Sequence, residues 1–458
     1  MTEGIAVTAP AADPSATATF AWRLAPVGVA LLSLALGAVA LGHRSLTVDE
    51  AASAAAAQGS LGTVLSRIVH DDPGQVGGLL LLKLSRTIGD SELALRLPSA
   101  IAVALAAGLL VLLGTMLLER VGGLVAGLAF AVNAGVIEAS REARPYALGL
   151  LGVVLATLLF VFALERGGGW RWIPYAVIAA TLPLTHPLAA SVLAAHGAAL
   201  IALRERPDLR RAGIAVVLGT VVAGALLAWM AADRFDAPDG GRTLDLADLG
   251  HGLVHAIGRN PVLVIAAAAG LYALFALRGA RPGRWRGVLV AALIAAPFLA
   301  LLLAALALPV FTGALVLCAP GLALAAGAVV PLLSPVRGLV WAGLALLLVS
   351  SMLTAADRLR ETPDQDWRTL TVAVKRVRAD HETVVVVPER ARAVVAYYAP
   401  DLPLVGHVRG SGGWVAVVTD TPDGAIAAAR PVVTTPRYAL LRQFAYGDGL
   451  RLQHWVRP

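Results

Sequence analysis

Repeated long apolar segments dominate this chain. A helix needs about 20 apolar residues to cross the hydrocarbon core of a bilayer, and most of the segments approach that length. Only 15% of the 458 residues are charged, against roughly 25% in soluble domains. Backbone groups inside a bilayer must be hydrogen-bonded within the spanning segment, so such segments fold as helices. The sequence therefore predicts an all-α polytopic membrane protein.

We predict about eleven transmembrane helices from the apolar windows. Glycine and proline occur inside several windows, and transmembrane helices tolerate them. An odd number of spans would place the two chain ends on opposite faces of the membrane. The windows lie near residues 24–43, 97–118, 121–137, 146–164, 172–185, 187–203, 212–232, 261–277, 287–308, 311–333 and 336–355.

Arginines in alternate connections predict the orientation, because cytoplasmic loops of membrane proteins are enriched in Lys and Arg. Arg23 precedes the first window, and further arginines follow at 120, 166, 204–211, 278–286 and 337. The intervening connections are richer in acids. We therefore expect a multi-pass protein of the cell membrane with a cytoplasmic N-terminus and an extracytoplasmic C-terminal segment.

The same pattern predicts three parts of the chain. Residues 1–22 lack the basic region of a signal peptide and are expected to form a disordered cytoplasmic leader. Residues 23–356 are predicted to form the transmembrane domain, with a first outer loop at 44–96 and a short interfacial helix near 76–84. In residues 357–458, β-branched strands at 383–387 and 414–418 alternate with helical patterns. This alternation predicts a small extracytoplasmic α/β domain.

Several kinds of ligand are not expected. The formal net charge is +7, but the arginines are dispersed between the windows, so topology explains them better than nucleic-acid binding. No glycine-rich phosphate loop or metal-ligand spacing is evident, so no cofactor and no metal are predicted. A divalent cation at His70-Asp71-Asp72 has no support beyond three adjacent ligands, which cannot easily face one point.

Two acids follow the first window, in the segment from Arg44 to Glu50. Charged residues beside a membrane are candidates for function, and a carboxylate can act as a general base. Alternatively, Asp49 and Glu50 begin an alanine-rich helix, where acids are favoured by the helix dipole. The residues alone leave both interpretations open.

A second charged cluster lies between the third and fourth windows and includes Arg141, Glu142, Arg144 and Tyr146. Guanidinium groups match phosphate oxygens, so this cluster could bind a lipid headgroup. Alternatively, the arginines and the tyrosine anchor helix ends at the membrane interface.

Further candidates allow the same two interpretations: Lys83 and Arg96 could meet phosphate or anchor helices, and His186 could bind substrate or form a structural hydrogen bond.

Three segments stand out by their order along the chain: RSLTVDEAAS at 44–53, GDSELALRLPSA at 89–100 and EASREARPYAL at 138–148. In combination they resemble bacterial membrane glycosyltransferases of the GT-C superfamily. The similarity is to the polyprenyl-phosphate-sugar-dependent group that is like dolichyl-phosphate-mannose protein mannosyltransferases. Weaker matches lie at 184–186, 318–321 and 366–368. Together, the strong and weak matches extend over most of residues 40–200 and thinly over the rest of the chain.

The resemblance implies inverting transfer of a sugar, mannose or a similar hexose, from a polyprenyl-phosphate donor on the extracytoplasmic face. A lipid, glycan or protein would be the acceptor, and membrane lipids would surround the site. Asp49 takes the position of the general base. The substrate-binding residues implied are Glu50, Lys83, Arg96, Arg141, Glu142, Arg144, Tyr146 and His186.

Two segments depart from the pattern of the family. Relatives carry an aromatic segment before the short interfacial helix, where this chain has residues 72–78, and an Arg-Tyr pair in a late span, where it has 311–315. These departures favour the alternative of a non-catalytic scaffold or lipid-binding protein of envelope assembly. A transporter is a further alternative, although no internal repeat supports it.

Overall fold

The computed structural model describes residues 14–39, 41–70, 75–203, 209–232, 246–276, 284–306, 312–333, 335–360, 365–378, 382–419, 421–433, 438–447 and 449–458. Residues 1–13 of the predicted leader, residues 71–74 and residue 311 lie outside them. The helices are α1 Pro14–Ala38, α2 Val48–Ala56, α3 Leu61–His70, α4 Val76–Ser85, α5 Glu92–Leu117, α6 Arg120–Ala131, α7 Ala134–Ser140, α8 Tyr146–Arg166, α9 Trp172–Thr185, α10 Val192–Ala202, α11 Leu209–Ala232, α12 Leu246–Ala256, α13 Pro261–Ala276, α14 Arg284–Ala304, α15 Ala319–Gly327, α16 Val330–Leu333, α17 Arg337–Arg360, α18 Trp367–Val377, α19 Arg392–Tyr398 and α20 Pro422–Ala429. The strands are β1 Thr383–Val387, β2 Gly412–Val418, β3 Ala439–Ala445 and β4 Leu450–Val456.

The described helices include six that are long and apolar enough to cross a membrane, or eight if each bent helix pair forms one span. Helical structure occupies most of each predicted window, but the apolar helices Trp22–Ala38 within α1 and Pro187–Ala202 around α10 are shorter, and α9 has 14 residues. The prediction of a helical multi-pass membrane protein with a small C-terminal α/β part is confirmed. The count of eleven spans stays a prediction.

Two helix pairs are sharply bent, α6 with α7 by 62° and α12 with α13 by 79°. Asn133 caps α7 at the first bend, where its side chain accepts hydrogen bonds from the amides of Gly135 and Val136. Its amide nitrogen donates to the carbonyl of Ala256 at the second bend, at 3.1 Å. One buried side chain therefore joins both bends, and α7 leads directly into the segment containing Arg141 and Arg144.

The helices of the apolar core approach closely through small residues. At Gly270 on α13, an added methyl group would overlap the carbonyl oxygen of Ala325 on α15. Membrane helices lack a hydrophobic driving force between one another, and small residues allow the close backbone contact that replaces it.

The C-terminal segment forms a four-stranded sheet in the order β1-β2-β4-β3. β1 pairs with β2 in parallel, and the other two pairings are antiparallel. Successive side chains of a strand point to opposite faces, and accordingly the odd-numbered Val385, Val415 and Val417 pack with Ala425 and Ala429 of α20.

The even-numbered face of the sheet shares a buried core with the loop that follows α1. This core contains Leu46, Val48 and Ala51 from the loop, together with Trp367 and Val394 from the C-terminal segment. Excluding these apolar side chains from water favours the association at about 25 cal/mol per Å² of buried apolar surface. We call residues 41–91 the first loop and residues 365–458 the tail.

Polar contacts fix the tail against the first loop. The Ser45 hydroxyl donates to the carbonyl of Gln365 at 2.8 Å, and the Leu46 amide donates to the Tyr398 hydroxyl at 2.7 Å. The Tyr398 hydroxyl in turn donates to Glu92 at 2.6 Å. The tail is therefore held directly beside the residues that precede Asp49.

Candidate active site

The helix α2 carries both acids of the first loop, and its start is defined by a capping box. The Thr47 hydroxyl accepts from the Glu50 amide at 3.2 Å, and a carboxylate oxygen of Glu50 accepts from the Thr47 amide at 2.9 Å. This reciprocal pair holds the first turn of α2 rigidly, so the adjacent Asp49 has a defined position.

Glu50 is buried, with 1% of its surface exposed. Its carboxylate accepts two hydrogen bonds from the Arg96 guanidinium, each at 2.8 Å, and a third from the Ala143 amide at 2.8 Å. Burial alone would raise the pKa of Glu50, but the hydrogen bonds and charge of Arg96 outweigh it and lower the pKa. Glu50 is therefore an ionised structural group.

Arg96 uses its remaining guanidinium N–H groups on the backbone at the start of the first loop. It donates to the carbonyls of Leu41, Arg44 and Ser45 at 2.9–3.1 Å. Glu50 and Arg96 together join the end of α1, the start of α2, α5 and Ala143. The structure thus places Glu50 and Arg96, both predicted to bind substrate, in a buried ion pair that fixes the start of α2, where Asp49 lies.

Asp49 is more exposed than the adjacent Glu50, because 47% of the Asp49 side chain is accessible to solvent. Its carboxylate pairs with the Arg144 guanidinium at 3.1 Å. Arg144 also lies over the Tyr146 ring, 5.1 Å from its centroid, and that ring is 5.3 Å from the ring of His186. Four predicted site residues therefore form one contiguous row.

His186 also makes a structural hydrogen bond, because its Nδ1 accepts from the Leu188 amide at 3.1 Å. The ring is thereby fixed at the start of the 3-10 helix Pro187–Ser191.

Two cavities lie near this row, and Asp49 and Arg144 line the second of them. The first has a volume of about 100 Å³ and the second about 240 Å³. Thr47 and Glu142 line both cavities. The first is otherwise lined by Leu41, Arg44, Ser45, Glu50, Arg96, Ala134, Ile137, Glu138, Arg141 and Ala355. The second is otherwise lined by Val48, Asp49, Arg144, Gln365, Pro388, Arg390 and Val418.

Glu142 stands at the boundary between the cavities. Among the described residues its carboxylate makes no hydrogen bond or ion pair. Burial raises the pKa of Glu142 to about 7, although the charge of Arg144 opposes the increase. Near neutral pH, this carboxyl group can therefore either hold or release a proton.

The first cavity contains two arginines whose charges are close together. Arg141 donates to the carbonyl of Leu36 at 2.7 Å, while its buried Nε makes no hydrogen bond within the described part of the chain. Burial, reinforced by the positive charge of Arg44, lowers the pKa of Arg141. Two neighbouring guanidinium groups suit a phosphate group.

Arg44 was not among the predicted site residues. The available signal was a basic residue directly after the first apolar window, on the side where the other connections are acidic.

Lys83 lies at the far end of α2. Its ammonium donates to the Gly59 carbonyl, and Arg67 donates to the Ala56 carbonyl at 2.8 Å. Ala56, the last residue of α2, is seven residues beyond Asp49, which corresponds to about 10 Å along the helix. The structure therefore places Lys83 at the C-terminal end of the helix, where a cation complements the helix dipole, and outside both cavities.

Metal-binding geometry is not found in the part of the chain that the structure describes. No group of three or more His, Cys, Asp or Glu side chains there could hold a metal ion. In the His70-Asp71-Asp72 cluster, residues 71 and 72 lie outside the described ranges.

Comparisons with known proteins agree with this architecture. A family model described as dolichyl-phosphate-mannose-protein mannosyltransferase matches residues 75–231. No curated protein matches the chain.

Among solved structures, ArnT from Cupriavidus metallidurans bound to undecaprenyl phosphate has a TM-score of 0.56 at 14% identity, covering 95% of this chain and 98% of ArnT. The archaeal oligosaccharyltransferase AglB from Archaeoglobus fulgidus, in complex with an inhibitory peptide and a dolichol-phosphate, has a TM-score of 0.58 at 12% identity. That match covers 94% of this chain and 74% of AglB. The chain therefore has the fold of the GT-C glycosyltransferases, as its three resembling segments predicted.

Proposed function

We propose that this protein transfers a sugar from a polyprenyl-phosphate donor to an envelope acceptor on the extracytoplasmic face of the membrane. The observation that carries the proposal is the position of Asp49. It is half-exposed, paired with Arg144, and separated by Glu142 from a cavity that contains Arg44 and Arg141 besides the buried Arg96. The family model's description favours mannose as the sugar.

The donor class is supported by the bound lipids of the structural relatives. ArnT was solved with undecaprenyl phosphate and AglB with a dolichol-phosphate. In this chain the first cavity is lined by Leu41, Ala134 and Ala355, near the ends of the helices α1, α7 and α17, and the proposal places the donor phosphate there.

The reaction follows as a single displacement. Asp49 accepts the proton of an acceptor hydroxyl while the hydroxyl oxygen bonds to the anomeric carbon. The bond from that carbon to the phosphate oxygen breaks, and the electron pair leaves with the polyprenyl phosphate. Arg141 and Arg44 stabilise the negative charge on the departing phosphate. A single displacement inverts the configuration at the anomeric carbon.

The position of Glu142 fits this scheme. The sugar would lie at the boundary of the two cavities, with the phosphate in the first and the acceptor hydroxyl in the second. Glu142 in its neutral form can donate a hydrogen bond to a phosphate oxygen there. Ionised Glu142 would repel the phosphate.

The test of the proposal is a transfer assay with the full-length protein in proteoliposomes. Radiolabelled polyprenyl-phosphate mannose is supplied with an envelope extract as acceptor, and transferred label and released polyprenyl phosphate are measured. We expect equal amounts of both and a product of inverted anomeric configuration by NMR. A nucleotide sugar serves as the control donor and should give no transfer.

If the folded protein is inert with polyprenyl-phosphate mannose and with other polyprenyl-phosphate hexoses, the transfer proposal fails and the scaffold interpretation replaces it.

The pH dependence of transfer tests the role of Glu142. Because the pKa of this carboxyl is raised to about 7, its neutral form predominates below pH 7 and declines about tenfold per unit above pH 8. Transfer is expected to fall as the pH rises from 7 to 9. The variant Glu142→Gln, which stays neutral, is expected to lose this alkaline fall.

Asp401→Asn is the control for that profile, since Asp401 is an exposed carboxylate that pairs with Lys375 on the tail. It should keep the wild-type profile. An unchanged alkaline fall in Glu142→Gln would show that another group titrates. Complete inactivity at every pH would instead indicate that Glu142 takes the substrate proton.

A further inference from the structure

The second cavity is closed on one side by the tail. The 3-10 helix Glu389–Ala391 packs against α2, and it brings Arg390 to the cavity opposite Asp49. This short helix is well anchored, because Ala391 is fully buried and its amide donates to the Pro388 carbonyl at 2.9 Å. The backbone of Arg390 therefore has a fixed position beside the candidate base.

The second cavity is lined by two acids, Asp49 and Glu142, and by two arginines, Arg144 and Arg390. Asp49 and Arg144 neutralise one another at 3.1 Å. Arg390 is exposed and makes no hydrogen bond or ion pair within the described ranges. Neighbouring tail arginines differ in this respect, since Arg392 pairs with Glu389 at 2.9 Å and Arg368 pairs with Glu92 at 2.5 Å. The guanidinium of Arg390 thus has no directly bonded carboxylate within the described ranges, although it lines the second cavity.

We infer that the second cavity binds an acceptor carrying a carboxylate or phosphate close to its reactive hydroxyl, and that Arg390 recognises this anionic group. The inference rests on the proposed function and names the acceptor class for it. A guanidinium presents a planar fork of donors that matches both anions. Arg390 would hold the acceptor so that its hydroxyl reaches Asp49.

The size of the cavity limits how much of the acceptor enters. Drug-sized ligands occupy cavities of roughly 300–1,000 Å³, whereas this cavity holds about 240 Å³. It therefore accommodates the terminal group of an acceptor, such as one sugar ring, and leaves the remainder outside.

Competition in the proteoliposome assay tests the inference. Transfer from polyprenyl-phosphate mannose to the envelope extract is measured with added glucuronate, glucose 6-phosphate or glucose. In the wild type, at least one of the anionic sugars is expected to inhibit at a concentration at least about tenfold lower than glucose, as a charge-assisted hydrogen bond allows. If glucuronate is the stronger inhibitor, the acceptor group is a carboxylate; if glucose 6-phosphate is stronger, the group is a phosphate.

Arg390→Gln is expected to abolish that difference from glucose, and Arg390→Lys is expected to retain part of it. Arg392→Gln is the matched control, because Arg392 belongs to the same part of the tail but already has a carboxylate partner. Transfer by Arg392→Gln should be inhibited by the three sugars to the same extent as transfer by the wild type.

Two results overturn the inference while leaving the proposed function intact. The first is that all three sugars inhibit the wild type equally while it transfers label. The second is that the anionic sugar still inhibits Arg390→Gln at a lower concentration than glucose does. A wild type that transfers no label overturns the inference together with the proposed function.

Discussion

Asp49→Asn is expected to reduce sugar transfer by a factor of about 10²–10⁴, the contribution typical of a general base. The amide has nearly the size of the carboxylate but cannot accept the proton of the acceptor hydroxyl. Thermal unfolding in detergent should change little, because about half of the Asp49 side chain is already exposed. The measurement is the initial rate of label transfer in proteoliposomes, with donor and extract saturating.

Asp90→Asn provides the matched control for this variant. Asp90 is also an exposed acid of the first loop with an arginine partner, Arg86, at 3.0 Å, and it lines neither cavity. It should transfer at the wild-type rate. The general-base assignment is wrong if Asp49→Asn and Asp49→Ala both transfer sugar as fast as this control.

Breaking the buried pair of Glu50 and Arg96 is expected to have the largest effect on stability. Removing one partner of a buried ion pair leaves an uncompensated charge and costs about 3–5 kcal/mol. Arg96→Met should therefore unfold at a markedly lower temperature than the wild type. Transfer should fall too, because the pair fixes the turn that carries Asp49. Thermal unfolding and transfer are measured on the same preparation.

The pair Arg368 and Glu92 is the control, because 42% of the Arg368 side chain is exposed and exposed pairs contribute about 0–1 kcal/mol. Arg368→Met should thus cost much less than Arg96→Met. Equal unfolding temperatures for the two variants would contradict the structural role. In the double variant Glu50→Gln with Arg96→Met, the loss should be smaller than the sum of the single losses.

The pH dependence of this support has a definite sign. The pKa of Glu50 is lowered in the folded protein from its ordinary value of 4.5. Its stabilising contribution is therefore present above pH 4.5 and disappears as the pH falls through the lowered pKa.

Much of the architecture was predictable because it depends on local patterns. The apolar window at 172–185 coincides with α9, and the β-branched run at 383–387 coincides with β1. Length and hydrophobicity determine such elements within the segment itself. The bends are harder to predict. The window at 121–137 contains two helices separated at Asn133, and the capping preference of asparagine was the local signal.

The candidate site was predictable only as a set of residues. Two adjacent acids look equivalent in the sequence, yet Glu50 is buried because Arg96, 46 residues away, pairs with it. Lys83 faces the far end of α2 for a similar reason, since the Gly59 carbonyl that it meets is 24 residues away. Such long-range pairings determine roles, and no local pattern records them. Arg390 could not be connected with Asp49 without the packing of the tail.

The buried core shared by the first loop and the tail has a consequence for how this protein can be recombined with relatives. Ser45 and Trp367, which are hydrogen-bonded, lie 322 residues apart in the chain. A chimera that exchanges the tail alone would pair a foreign surface with the native Leu46 and Val48. The smallest transplantable module is therefore discontinuous: it consists of the first loop, inserted between α1 and α5, together with the tail that follows α17.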